Sequence, residues 1–144
     1  MCLVVDANVF SSVFRPGSCN HAEFAPVLSW ITAGPGFLVY GGTTYNNELK
    51  RARFYLGVFL ELKKKGKAKE VNRGLVDKHE KIVKGLAGHT KCDDFHIIAI
   101  FRVSGCVLFV RTMRAPIVTY RTKNFMKRVN IRHLFIAMEH IGSF

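Results

Sequence analysis

Acidic residues are scarce in this chain of 144 residues: ten Asp and Glu stand against 22 Lys and Arg, which gives a formal net charge of +12. A chain this basic attracts anions such as phosphate backbones or acidic lipid surfaces. Because acids are so few, each carboxylate that follows a strand or opens a helix is a candidate for a specific role.

Three further absences narrow the class of protein. No apolar run reaches the roughly 18 residues that a membrane-spanning helix needs, and Asp6 interrupts the N-terminal run before a signal-peptide core could form. We therefore expect a cytoplasmic protein with no membrane partner.

The four cysteines include no CxxC pair, which argues against a disulfide scaffold. With 49% apolar residues and a mean hydropathy of +0.12, the chain is too apolar to be disordered, and its length predicts one domain over 1–144.

Apolar runs alternate with helical patterns along the chain. Runs at 2–5 (CLVV), 37–40 (FLVY) and 106–110 (CVLFV) predict strands that are buried on both faces. The first predicted helix contains Phe24 to Ile31, and Gly34-Pro35-Gly36 ends it. The last predicted helix covers about 93–104 and ends at Gly105. This alternation predicts a three-layer α/β domain with a mainly parallel central sheet.

Two longer helices are predicted between the second and third strands. One begins at Thr43 or Thr44 and continues to Leu60, with a single apolar stripe made of Tyr45, Leu49, Ala52, Leu56, Phe59 and Leu60. The lysine-rich stretch 63–69 (KKKGKAK) is interpreted as a solvated connection. The next helix presents Val71, Leu75, Ile82, Val83 and Leu86.

Three acids occupy positions that such a sheet brings together. Asp6 follows the first strand, Glu48 lies in the first turns of the helix after the second strand, and Asp94 opens the helix before the third. In an open parallel sheet, strand ends and the first turns of the following helices share one edge, where ligands bind. Carboxylates gathered there repel one another unless a hard cation such as Mg²⁺ or Mn²⁺ lies between them. Such a metal can polarise a phosphate and lower the pKa of a bound water, which permits hydrolysis of a phosphodiester.

Each acid also has a purely structural interpretation. Asp93 or Asp94 can cap a helix N-terminus, which contributes about 1 kcal/mol, and Glu48 can interact favourably with a helix N-terminus. Asp6 is harder to explain in this way, because an acid after a fully apolar strand needs a partner or a metal. His96 can be a structural histidine or can face the same edge.

Three segments together resemble the hallmark segments of PIN domains, which are metal-dependent nucleases that mostly cut single-stranded RNA. These segments are VVDANVFSSVF at 4–14, YNNELKR at 45–51 and CDDFHIIAIFRVSG at 92–105, and the resemblance extends over about 1–110. It implies a Rossmann-like sheet and a Mg²⁺ or Mn²⁺ site held by Asp6, Glu48 and Asp94, with Asn8 supporting the first acid. Many small members are toxins of toxin-antitoxin pairs, so the resemblance also implies an antitoxin protein as a partner and a homodimer.

The chain departs from the PIN pattern after the third predicted strand. The family usually places a fourth acid there, but that position falls near Met113, between Arg111 and Arg114, and the next carboxylate after Asp94 is Glu139. Asp93 is the one nearby acid that can compensate. Three carboxylates can still hold one Mg²⁺, whereas a second metal would bind poorly, so we expect weakened or absent activity.

Two interpretations of the tail remain open. In the first, 111–144 is a diverged but genuine segment, in which Ile131, Leu134, Phe135 and Met138 form a short amphipathic helix. Its cations, including Arg111, Arg114 and Lys123, then hold the phosphate backbone of RNA. In the second, the tail is translated out of frame, because a two-nucleotide shift at Thr112-Met113-Arg114 can encode Tyr-Asp-Glu and restore the acid.

The sequence thus leaves two main functional hypotheses. The first is a metal-dependent endoribonuclease, with Asp6, Glu48 and Asp94 as catalytic metal ligands. The second is a degenerate PIN-like domain that binds RNA or a protein without cutting. An α/β domain of unrelated function is a third and weaker hypothesis.

Overall fold

The structure is a computed structural model that describes residues 1–87, 94–106 and 108–112, together with the backbone of 134–136. Within these residues the strands are β1 (Cys2–Val5), β2 (Phe37–Gly41), β3 (Ala68–Val71), β4 (Leu108–Val110) and β5 (Leu134–Ile136). They form one sheet in the order β3-β2-β1-β4-β5. Strands β1 to β4 are parallel, and β5 pairs antiparallel with β4.

Helices flank this sheet. A 3₁₀ turn (Ala7–Val9) leads into α1 (Phe10–Phe14), and the remaining helices are α2 (His21–Thr32), α3 (Thr43–Arg51), α4 (Arg53–Lys64), α5 (Arg73–Ala87) and α6 (Phe95–Ser104). The predicted α/β class with a mainly parallel sheet is therefore confirmed, and the arrangement is consistent with a Rossmann-like layered fold. Among the described residues, none of the helices contains an apolar stretch of membrane-spanning length.

The order of the strands reverses next to β1. The chain moves from β1 to β2 and β3 on one side and then returns to place β4 on the other side of β1. The backbone N–H of Asp6 donates to the carbonyl of Val110 over 2.9 Å, which joins the carboxyl ends of β1 and β4. Open α/β sheets bind ligands just outside the strand ends at such a reversal.

The central strand and an aromatic cluster form the hydrophobic core. Leu3, Val4 and Val5 of β1 are fully buried, as expected for a strand that is covered on both faces. On one side of the sheet a cluster of rings packs with centroid separations of 5.2 to 6.3 Å. Its members are Phe10, Phe14, Tyr40, Tyr45, Tyr55 and Phe59.

The first and last predicted helices lie where the sequence places them. Helix α2 contains the predicted Phe24 to Ile31 segment, and the loop after it fits closely because Gly36 packs against the ring of Trp30 where a Cβ would clash. Helix α6 ends at Gly105, which has the left-handed conformation (φ 69°) that glycine adopts without a steric penalty.

The predicted long helix after β2 is wrong in one respect: it is two helices that separate at Ala52. This residue leaves the helical conformation (φ −101°, ψ 66°), and a new helix starts from its carbonyl. Alanine has the highest helix propensity, so the break comes from tertiary packing and not from a local signal. Leu60, predicted to be in the apolar stripe, is 47% exposed.

The interpretation of 63–69 as a solvated connection is also incorrect, because β3 begins within it at Ala68. Strand β3 is an edge strand, and Lys69 and Glu70 on it are exposed. Charged side chains are common on edge strands, where they oppose pairing with other chains. The sequence of β3 therefore lacks the apolar run that predicts the other parallel strands.

Helix α5 buries a different face from the predicted one. Val83 is buried as expected, but the other buried positions are Val76 and Glu80, while Leu75, Ile82 and Leu86 are exposed. Val71 belongs to β3. The helix is rotated because two of its carboxylates bind the start of α3, as described below.

The predicted amphipathic helix in the tail is contradicted at Leu134–Ile136, whose backbone forms β5. The other two residues of that prediction, Ile131 and Met138, lie outside the described residues. Pairing with β4 explains the difference, since an antiparallel partner satisfies the free edge of that strand.

Replacing Phe59 by Ala tests the aromatic cluster. Phe59 is fully buried and contacts the rings of Phe10, Phe14 and Tyr40, so Phe59→Ala is expected to lower the free energy of unfolding by about 3–5 kcal/mol. Phe54→Ala is the matched control: this ring is 61% exposed, and the change should stay within about 0.5 kcal/mol. Urea denaturation measures both. Equal losses would show that the cluster is not the core of this side of the sheet.

Candidate functional site

Asp6 lies at the carboxyl end of the central strand. Its carboxylate Oδ1 accepts a hydrogen bond of 3.1 Å from the backbone N–H of Asn8, so it caps the 3₁₀ turn that follows β1. Asp6 is 9% exposed. Asp6 therefore has a structural role as a helix cap, although the sequence made a purely structural role harder to explain for Asp6 than for the other acids. Asn8 supports the Asp6 carboxylate through its backbone N–H.

Glu48 extends from the second turn of α3 toward the start of α6. Its Oε2 lies 3.5 Å from Nε2 of His96, a contact that becomes an ion pair when the imidazole is protonated. His96 is buried, and its ring also packs near Tyr45. The Tyr45 hydroxyl donates a 2.5 Å hydrogen bond to the carbonyl of Val5, which fixes α3 to the end of β1. This bond brings the helix that carries Glu48 next to the strand that precedes Asp6.

Asp94 precedes α6 and contacts a cation. It occupies the N-cap position of α6, but its side chain makes no capping hydrogen bond, so the capping interpretation is not confirmed for Asp94. Instead Nη1 of Arg111, just after β4, donates to Asp94 Oδ2 over 3.3 Å. Helices of a parallel α/β fold run antiparallel to the strands, which explains why the start of α6 lies near the ends of β1 and β4.

The charges of Glu48 and Asp94 act on the carboxyl of Asp6. Burial raises the pKa of the Asp6 carboxyl above its ordinary value of 3.8, and the neighbouring charges of Asp94 and Glu48 raise it further. The Asn8 backbone N–H and the Arg111 guanidinium act in the opposite direction on the same pKa. The sequence prediction that Asp6, Glu48 and Asp94 approach one edge of the sheet is thus supported by their electrostatic coupling. We refer to these three residues as the carboxylate cluster.

A second polar network fixes the start of α3. Asp77 of α5 accepts from the Thr43 backbone N–H over 2.7 Å and from the Thr43 hydroxyl over 2.6 Å, and these bonds lower the pKa of the Asp77 carboxyl. The Thr44 hydroxyl lies 3.0 and 3.1 Å from the two oxygens of Glu80, a buried carboxylate that also pairs with Lys84 over 2.8 Å. The N-terminus of α3 is therefore capped from another helix, and Glu48 is carried by a helix held at its start.

The donor atoms of the carboxylate cluster suit a hard divalent ion, but they do not surround one point. Carboxylate oxygens are the ligands that Mg²⁺ and Mn²⁺ prefer. Within the described ranges, however, no group of three or more His, Cys, Asp and Glu is placed to hold a metal ion. Glu48 is directed to His96 and Asp94 to Arg111. The residue types therefore fit a metal, whereas the side chains are engaged elsewhere.

Several predicted site residues lie outside the described residues. These are Asp93, Arg114, Lys123 and Met113, the position of the absent fourth acid. Arg111 is described, with a side chain that is 44% exposed. Its predicted contact with RNA stays a prediction.

Two features of the site were not predicted from the sequence. The helical spacing predicts Tyr45 as an apolar-core residue, and no signal in the spacing indicates its buried hydrogen bond to Val5. Asp77 and Glu80 carry no functional signal in the sequence, because acids on a lysine-rich helix are usually solvated. The pair Thr43-Thr44 after two glycines indicates the start of a helix, but it does not indicate that Asp77 and Glu80 bind there.

A scan of protein-family models, a search of curated proteins and a search of solved structures each found no significant match to this chain.

Asp6→Asn tests the cost of placing this carboxylate beside two others. The folded-state pKa of Asp6 is raised, so ionised Asp6 opposes folding, and this cost appears as pH rises through that pKa. Asparagine keeps an oxygen that can accept from Asn8 and removes the charge. We expect Asp6→Asn to raise the melting temperature at pH 7 and to have a smaller effect at pH 3.

Glu61→Gln is the control for this prediction, because Glu61 is an exposed carboxylate on α4 whose only described ion pair is with Lys64. Thermal unfolding followed by circular dichroism at both pH values gives the comparison. A lower melting temperature of Asp6→Asn at pH 7 would contradict the assigned cost.

Asp77→Ala tests the cap on α3. Loss of both Thr43 bonds is expected to reduce the free energy of unfolding by about 1 kcal/mol at pH 7. The folded-state pKa of Asp77 is lowered, so its contribution is complete well above 3.8 and declines as pH falls through the folded value. The difference between wild type and variant should therefore shrink in acid. Urea denaturation at pH 7 and pH 3 tests this, with Glu61→Ala as the control. A pH-independent difference would contradict the assignment.

Proposed function

We propose that this chain is a PIN-like, divalent-metal-dependent endoribonuclease of low activity that cuts single-stranded RNA. One observation carries the proposal: Asp6, at the end of the central strand where the strand order reverses, is electrostatically coupled to Glu48 and Asp94 from two other elements. Acids are scarce in this chain, and burial of Asp6 near Glu48 and Asp94 raises its pKa. Carboxyl groups with raised pKa values are common in active sites.

The residues have distinct roles in this proposal. Asp6, Glu48 and Asp94 would hold Mg²⁺ or Mn²⁺, and the ion, when bound, would polarise a phosphate and lower the pKa of a water molecule. Asn8 orients Asp6 through its backbone N–H, and Tyr45 and Asp77 position the helix that carries Glu48. The side chain of Arg111 is 44% exposed, so its guanidinium could contact a phosphate oxygen at the same edge once it leaves Asp94. The net charge of +12 favours association with an RNA backbone.

Low activity follows from the composition of the site. The fourth acidic position of the PIN pattern falls near Met113, and Arg111 is already paired with Asp94. An ion at the cluster must therefore compete with an internal cation, and it has few protein oxygens to bind. A single weakly held ion supports less transition-state stabilisation than a two-metal site.

A second candidate function is a PIN-like module that binds RNA without cutting it. The observation that favours this candidate is the absence, among the residues described, of a group placed to hold a metal. Phosphate binding requires only the basic surface, whereas hydrolysis requires the ion. The antitoxin partner and the homodimer suggested by the PIN resemblance are likewise proposals, and co-expression with a neighbouring small gene would test the first.

An RNA cleavage assay separates the two candidates. A labelled single-stranded RNA is incubated with wild type, Asp6→Asn or Glu61→Gln in Mn²⁺, and again with chelator. We expect slow cutting by wild type that requires Mn²⁺, a loss of about 100-fold or more in Asp6→Asn, and no change in Glu61→Gln.

RNA binding by the same variants is measured in parallel, and it distinguishes an RNA-binding module from a nuclease. If wild type retains RNA but neither wild type nor Asp6→Asn cuts it, the binding module is the better account. If Asp6→Asn and Glu61→Gln cut as fast as wild type, a contaminating nuclease explains the activity and the proposed active site is wrong.

A further inference from the structure

Arg111 places a permanent positive charge among the acids of the carboxylate cluster. It follows the end of β4, next to the end of β1, at the reversal in strand order. We propose that Arg111 is the internal cation of the cluster, which holds Asp94 in the metal-free protein and which a divalent ion must displace. This inference rests on the proposed function in one respect, namely that a divalent ion binds at the carboxylate cluster.

The contacts of Arg111 fit this role. Its Nη1 donates to Asp94 Oδ2 over 3.3 Å, and its Cζ lies 5.8 Å from the centroid of the Phe109 ring. The ring is 6% exposed and belongs to β4, so one side of the guanidinium is close to a fixed aromatic surface. The charge of Arg111 also acts on Asp6, in the direction opposite to that of Asp94 and Glu48. One guanidinium thus compensates acids from two different elements.

The chemistry of arginine makes this compensation permanent. A guanidinium stays protonated at any pH at which the protein is folded, and it presents five N–H donors to carboxylates. A histidine in the same place could lose its proton near neutral pH as an ion arrived, whereas Arg111 stays charged and can only move away. Its side chain is 44% exposed, so solvent is accessible to it once it leaves Asp94.

The Arg111–Asp94 ion pair contributes little to the stability of the fold. Ion pairs this exposed contribute about 0–1 kcal/mol to stability, because water screens the attraction and both side chains lose freedom. Asp94 also does not cap α6 through its side chain. The effect of Arg111 should therefore be found mainly in how tightly the cluster binds a competing cation.

Binding of Mn²⁺ alone, measured by electron paramagnetic resonance of the free ion, tests the proposal without any catalytic readout. Arg111→Ala is expected to bind Mn²⁺ about three- to tenfold more tightly than wild type, because one repelling charge is removed and Asp94 is released. Arg111→Lys keeps the charge and should bind as wild type does. Arg53→Ala, at an exposed position of α4, removes the same charge elsewhere and controls for the net charge of the chain.

Asp6→Asn in the Arg111→Ala background locates the ion. Loss of the added affinity in this double variant would place the ion at the carboxylate cluster. Equal Mn²⁺ affinity of wild type and Arg111→Ala, or an equal gain in Arg53→Ala, overturns the proposal, even when wild type cuts RNA in Mn²⁺. Conversely, if wild type neither binds Mn²⁺ nor cuts, while Arg111→Ala binds it through Asp6, the proposed nuclease function fails and the internal cation is supported.

Discussion

Repulsion between like charges at the end of β1 is the constraint on which this structure depends. The carboxylate of Asp6 is buried at the sheet edge and lies within the electrostatic range of Glu48 and Asp94. The topology enforces this proximity, because parallel strands end at one edge and the helices that bear the other acids start there. A basic chain with ten acids has thus placed three of them at one edge of the sheet, where the charges of Glu48 and Asp94 act on a buried Asp6.

The surroundings of the acids reduce this repulsion in three separate ways. The backbone N–H of Asn8 donates to Asp6, the buried ring of His96 contacts Glu48, and Arg111 forms an ion pair with Asp94. None of the three partners removes the coupling to Asp6, whose pKa remains raised. In the proposed function, a divalent ion that displaced Arg111 from Asp94 would compensate these acids further.

The parts of the fold that were predictable from sequence are those with strong local signals. The apolar runs of β1, β2 and β4 and the glycine that ends α6 belong to this group. The parts that were not predictable are set by long-range contacts. Ala52 breaks a helix that its propensity favours, and β3 is an edge strand with exposed charges.

The face of α5 follows the same rule. The exposed fractions of Leu75, Ile82 and Leu86 are 48%, 40% and 56%, whereas Glu80 is 6% exposed, because the helix turns its acids toward Thr43 and Thr44. A pattern based on hydrophobicity cannot find such a face, since the buried residue is charged and its partner lies on another helix. The Asp94–Arg111 contact cannot be predicted from sequence for a similar reason, because spacing marks both residues but not the contact between them.

Carbon-13 NMR titration of the Asp6 carboxyl tests the central claim most directly, because it reports the charges around this one group. The account predicts a pKa above the ordinary 3.8 in wild type, and a decrease of that pKa when either Asp94→Asn or Glu48→Gln removes a neighbouring charge. An Asp6 pKa at or below 3.8 that neither substitution changes would show that the three carboxylates do not share one edge of the sheet.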